Sequence, residues 1–140
     1  MQLTLTTDYA IRATAILALE NRMMTTIEIS NQMKIPVNYL KKLMRQLRGK
    51  GIVDVERGRY GGFYLAKKPE TISLYDIITT IEPTMKINRC MEKDCYCNMN
   101  NIKECPVRQV HVRAQEALEK ELKGCSIGDV VNEMKHRPMY

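Results

Sequence analysis

Along the first half of this chain, apolar residues recur at helical spacing and then switch to strand-like runs. Tyr9, Ala13, Ile16 and Leu17 lie three or four residues apart and predict a helix from about Asp8 to Glu20 with its apolar side inward. Thr7 is its candidate N-cap, and Asp8 places an acid in the first turn, where the helix dipole favours one. A second helix is predicted from Thr25 or Thr26, because Thr25 with Glu28 three residues on fits a capping box. Ile27, Ile29 and Met33 supply its apolar contacts, and it ends near Lys34. Ile35-Pro36 forms a short break, and a third helix follows from about Val37 to Gly49. Leu40, Leu43, Met44 and Leu47 share one face of it; Asn38, Lys41, Lys42, Arg45 and Arg48 share the other. A short helix, a tight break and a helix with a basic face make a helix-turn-helix pattern.

The period then changes. Gly51 to Glu56 is β-rich, Arg57-Gly-Arg-Tyr-Gly-Gly supplies turn residues, and Phe63 to Ala66 is β-rich again. The resulting hairpin, set directly after a basic helix, predicts a wing with Arg57, Arg59 and Tyr60 at its tip. Gly61 and Gly62 are expected to allow positive φ and a close backbone approach to a phosphate or groove wall. Beyond a Lys67-Lys68-Pro69 linker, Ser73 caps a helix through Ile81, which Glu82-Pro83 ends. Residues 84–105 show no periodicity and hold four cysteines. From Pro106 to Leu122 a long helix carries the apolar stripe Val107, Val110, Ala114, Ala117 and Leu118, best placed for pairing with a second chain; a short helix from Ser126 to Met134 closes the sequence. The expected fold class is mainly α with a small β-hairpin wing, a winged helix-turn-helix plus a long C-terminal dimerisation helix. The expected units are 1–83 for the winged head, 84–105 for the cysteine loop, 106–124 for the dimerisation helix and 125–140 for the closing helix and tail.

Charge sharpens this picture. Residues 1–68 carry twelve Lys and Arg against five Asp and Glu, while the rest carry ten against eleven. The positive potential therefore belongs to the predicted head, and a double-stranded nucleic acid is the leading partner, since releasing condensed counterions drives such binding. No apolar run approaches a membrane span, and no leader pattern precedes the first helix, so a cytoplasmic protein without a membrane partner is expected. A phosphate-binding glycine loop and a paired acid–base or nucleophile signature are both lacking, and His111 and His136 are expected at the surface, so an enzyme is not indicated.

Taken in order, these segments resemble the Rrf2 family of bacterial winged-helix regulators, which includes the iron–sulfur regulator IscR and the nitric-oxide-sensitive repressor NsrR. The resemblance rests on Met1-Gln-Leu-Thr-Leu-Thr-Thr-Asp-Tyr-Ala, Asn38-Tyr39-Leu40 leading to Gln46-Leu47, Gly51-Ile-Val, Arg57-Gly-Arg-Tyr-Gly-Gly, Leu65-Ala66, Ile72-Ser-Leu-Tyr-Asp-Ile, Ile81-Glu-Pro, the cysteine loop and Ser126-Ile-Gly-Asp-Val. It implies a homodimer that lays the third helix in a major groove and the wing toward a minor groove, usually as a repressor. Lys41, Lys42, Arg45 and Arg48 would mostly meet phosphates, Asn38 and Tyr39 base edges, and Arg59 a narrow minor groove.

Four of the five cysteines fall within sixteen residues, as Cys90-x4-Cys95-x1-Cys97-x7-Cys105. In a cytosolic chain such a cluster reads as a metal, iron–sulfur or redox site before a disulfide framework. The x4 spacing is similar to that of NsrR, and the resemblance implies an iron–sulfur cluster on Cys90, Cys95 and Cys105, with Cys97 as the alternative to Cys95. Arg108 occupies the position where some family members place a histidine ligand. Asp8 matches the acidic residue that NsrR-like members supply from the partner subunit. This tilts the expectation toward a four-iron (4Fe–4S) over a two-iron (2Fe–2S) cluster, open to nitric oxide, redox or iron status. Three alternatives stay open: a thiol redox switch on the same head, a structural zinc site, against which the Cys95-x1-Cys97 gap counts, and an iron–sulfur electron carrier.

Overall fold

The computed structural model describes residues 2–137. In chain order these form α1 (Leu5–Glu20), α2 (Thr26–Met33), α3 (Val37–Gly49), β1 (Val53–Glu56), β2 (Gly62–Leu65), α4 (Leu74–Ile81), α5 (Pro106–Gly124) and α6 (Ile127–His136), with short 3-10 turns at Pro69–Thr71 and Arg89–Met91. The architecture is mostly helical with one two-stranded antiparallel hairpin, a winged helix-turn-helix.

Local chemistry accounts for most of the boundaries. Thr25 caps α2 through a reciprocal box with Glu28, and Lys34 closes that helix in the left-handed region. Ser73 with Asp76 and Ser126 with Asp129 make equivalent boxes at the starts of α4 and α6. These two starts also pair with each other, the Leu74 N–H donating to the Cys125 carbonyl at 2.9 Å and the Ile127 N–H to the Ile72 carbonyl at 2.8 Å. One cap differs from expectation. The first helix begins a turn early, at Leu5, and Thr4 caps it by accepting from the Thr7 N–H. Thr7 is instead fully buried inside the first turn. Leu5 is exposed, so it adds nothing to the apolar stripe by which a helix start is read.

α1 packs on α2, α3, α4 and α6. Ala10, Ala13, Ile16, Leu17, Ile29, Met33, Leu40, Leu43, Met44, Leu47 and Ile77 meet there in one core. Ile127 and Val131 of α6 belong to the same core, so the closing helix is part of the head. Ile27, expected to add an apolar contact, points outward and is exposed.

β1 and β2 pair from Val53↔Leu65 to Glu56↔Gly62. A bridge between Met24 and Phe63 extends the hairpin by one short segment, with N–H···O distances of 2.9 and 2.8 Å. The glycines act differently from expectation. Gly58 has φ 118°, whereas neither Gly61 nor Gly62 is in the positive region. A Cβ on Gly61 would lie 2.0 Å from the Glu56 carbonyl oxygen, and one on Gly62 would lie 2.7 Å from that of Met24. Both glycines let the chain's own backbone close up; the turn's positive φ falls to Gly58.

Candidate nucleic-acid interface and cysteine loop

α3 divides cleanly into two faces. Leu40, Leu43, Met44 and Leu47 are fully buried, while Asn38, Tyr39, Lys41, Lys42, Arg45 and Arg48 are all exposed. Lys41, Lys42 and Arg45 form no ion pair among the described residues; Arg48 bonds Asp54 on β1 at 3.0 Å, tying the end of the helix to the wing. At the wing tip Arg57, Arg59 and Tyr60 are exposed, and the Arg59 guanidinium lies 5.7 Å from the Tyr60 ring centre. Among the described residues Lys41, Lys42, Arg45, Arg57 and Arg59 have no carboxylate partner, so their charge is available to a polyanion.

Asp8, in the first turn of α1, is half-exposed and paired with Arg12 one turn on. Arg12 reaches further than this pair. Its Nη1 donates to the Met33 carbonyl at the end of α2 (3.0 Å), and its guanidinium lies 4.9 Å from the Tyr9 ring centre. Tyr9 meets Tyr39 edge-on with ring centres 6.0 Å apart, and Tyr39 stands in the first turn of α3. A contact path therefore runs from Asp8 to the helix-turn-helix.

The cysteine segment is anchored to α5 at one end and held beyond it by local turns and the Arg89–Asp94 ion pair. Gln115, nearly buried on α5, accepts from the Ile87 N–H at 3.0 Å and donates to the Met85 carbonyl at 3.1 Å. Cys90 follows in the 3-10 turn, its N–H donating to the Asn88 side chain. Cys95 (φ 47°) and Cys97 line one open cavity with Asp94 and Glu104. Cys105 sits at the N-cap of α5. The Cys97 thiol is faced by the backbone N–H groups of Asn101, Met99 and Asn100, which hold its pKa below the usual thiol value. Cys125 is the opposite case: burial, then Asp129 and Glu121, push its thiol up.

Cys90, Cys95 and Cys105 are not gathered within one chain. Among the described residues no three His, Cys, Asp or Glu side chains converge to hold a metal. The donor chemistry of the loop, four soft thiols, suits iron; their positions in the single chain do not form a site. His111 corrects an expectation, since it is half-buried and its Nδ1 is enclosed without a hydrogen-bond partner. Gln115 and Glu82 were missed by sequence reasoning. Gln115 looks like an ordinary polar helix residue, and Glu82 looks only like the acid before a helix-ending proline.

The model of the Rrf2 family, described as iron-dependent transcriptional regulators, matches residues 3–133. The chain belongs to the Rrf2 family. An Aquifex aeolicus (strain VF5) protein named as an HTH-type transcriptional regulator is 34% identical over 133 residues, covering 94% of this chain and 92% of its own. Among solved structures, CymR (YrzC), the global cysteine regulator of B. subtilis, superposes with a TM-score of 0.80 at 23% identity, over 95% of this chain and 98% of its own. IscR of T. potens superposes with a TM-score of 0.78 at 21% identity, over 100% and 93%. The two structures establish the winged fold; the family match makes this Rrf2 chain an HTH-type transcriptional regulator and not an enzyme. Among the described residues no helix is long and apolar enough to cross a membrane.

Proposed function

We propose that this Rrf2 regulator acts in the cytoplasm as a homodimeric repressor whose affinity for a double-stranded operator is set by the state of its cysteine loop. The observation that carries the DNA-binding part is the division of α3, four apolar side chains sealed in the core and six polar or basic ones facing water. A helix held so firmly on one side presents the other as a rigid reading surface. The homodimer is supported by α5, whose stripe Val107, Val110, Ala114, Ala117 and Leu118 is exposed along its length. Two copies bring two α3 helices to successive half-sites.

Cys90, Cys95 and Cys105, with Cys97 as the alternative to Cys95, would hold an iron–sulfur cluster, and the partner subunit's Asp8 would complete it. The family's description as iron-dependent and the softness of the thiolate donors support this reading. When bound, such a group supplies labile, oxygen-ligated iron that nitric oxide can attack, and a four-iron form is favoured over a two-iron one. The chain's own residues carry the consequence. Whatever Asp8 pairs with is felt by Arg12, and Arg12 holds both the Met33 carbonyl and the Tyr9 ring that supports Tyr39. Two arrangements of this path would give two operator affinities, and a signal acts by favouring one of them.

The test is an operator titration of anaerobically purified protein before and after nitric oxide, alongside visible and Mössbauer spectra. A brown protein containing iron and sulfide whose operator affinity falls on exposure is expected; equal affinities would remove the sensing role. A second reading, a cluster-free thiol switch, is favoured by the lowered pKa of Cys97, since the thiolate is the reactive form. A colourless protein whose DNA binding depends on thiol oxidation would select it.

A further inference from the structure

Glu82 leaves the end of α4 with its own N–H on the Ile78 carbonyl at 2.8 Å, and the cysteine segment begins two residues later. Its side chain turns back across the molecule to the first turn of α1. One carboxylate oxygen accepts the Thr4 backbone N–H at 2.8 Å, the Thr4 hydroxyl at 2.9 Å and the hydroxyl of buried Thr7. Residues 75 and 78 positions away in sequence thus meet on one atom. Thr4 is the N-cap of α1, where unpaired N–H groups and the helix dipole favour an anion. The residue after Thr7 is Asp8, head of the contact path to Tyr39. Just beyond Pro83 and Thr84, Met85 and Ile87 are pinned to Gln115 on α5. Gln2, Leu3, Glu82, Ile87, Leu118 and Leu122 line one shared cleft, so the N-terminal segment, the start of the loop and α5 meet there.

A loop joined to the head only by its peptide chain could rearrange without moving α1. Here three hydrogen bonds of the same oxygen close that freedom. Residue 82 can shift only by carrying the α1 N-terminus with it or by breaking all three bonds together. We propose that Glu82 is the positioning residue through which the cysteine loop acts on the DNA-reading head of its own chain. It rests on the reading above that the state of the loop sets operator affinity.

The experiment uses the full chain with Cys125→Ser, so that alkylation with iodoacetamide falls on the loop thiols alone. Operator affinity is measured by fluorescence anisotropy with the thiols reduced and with them alkylated, in this parent and with Glu82→Ala, Glu82→Gln or Thr7→Val added. In the parent the two states differ by at least about fivefold, the lower range of allosteric couplings. In Glu82→Ala the ratio collapses toward one; Glu82→Gln, which keeps an acceptor oxygen, restores part of it; Thr7→Val, which removes one donor, lies between. Amide exchange at residues 4–8 responds to alkylation in the parent and not in Glu82→Ala, a readout independent of DNA. A parent ratio kept intact in Glu82→Ala and Thr7→Val would overturn the role of Glu82 and leave the loop's control of the operator standing. A parent indifferent to alkylation would overturn both.

Discussion

Arg59 and Lys42 are both exposed cations, yet they should fail in different ways when removed. Arg59 is exposed at the end of a hairpin and beside the Tyr60 ring, and in the proposed complex it would enter a groove. Arg59→Ala is expected to weaken specific operator binding by at least about 1 kcal/mol at fixed salt, leaving nonspecific binding little changed. Lys42, exposed on the flank of α3, would meet a phosphate. Lys42→Ala should weaken binding to all sequences and reduce the slope of log Kd against log salt by about 1. Titrations on operator and scrambled duplexes over a salt series separate the two. Glu82 gives a third expectation, in pH. Burial raises its pKa, but the hydrogen bonds from Thr7 and Thr4 outweigh this and hold it below the ordinary carboxylate value. A depressed folded-state pKa contributes stability at neutral pH that is lost as pH falls through the carboxylate range and below it. Thermal unfolding of Glu82→Gln should therefore decline less steeply with acid than that of the wild type.

At the scale of elements, what could be read in advance was local. Thr25 with Glu28, Ser73 before its helix, Pro36 before α3 and Pro106 in the first turn of α5 act within one turn of backbone, and the structure keeps all of them. The start of α1 escaped because Thr4 and Thr7 are equally plausible caps in isolation, and Glu82, which bonds both, lies far along the chain. The wing glycines were located correctly, but their expected positive φ falls to Gly58 instead, and within the chain their close neighbours are the backbone of Glu56 and Met24. Gly62→Ala should accordingly damage the fold itself. Its Cβ would press on backbone at Met24, and a loss of about 1–3 kcal/mol in denaturant unfolding is expected, as for overpacked sites. Loss of operator affinity without loss of stability would instead return this glycine to the DNA surface. The cysteines were legible as candidate ligands by residue type; among the described residues of the single chain no three such donors converge.

At the scale of the molecule, the stripe on α5 was legible as an apolar face, and the structure leaves Val107, Val110 and Leu118 exposed at 61%, 52% and 38%. The proposed homodimer would cover this face with a second copy. Val110→Asp is expected to yield monomers by sedimentation equilibrium and to abolish tight operator binding, while the head retains cooperative unfolding; a dimer unaffected by this change would place the interface elsewhere. The position of α6 has a different consequence. Its Ile127 and Val131 complete a core begun by Ala10, Ile16 and Leu17 more than a hundred residues earlier. During synthesis, then, the reading head cannot close when its own helices emerge from the ribosome. It must wait for α6 to be translated, so a nascent chain stalled within the cysteine segment would expose this apolar seam to chaperones and proteases and would not engage DNA.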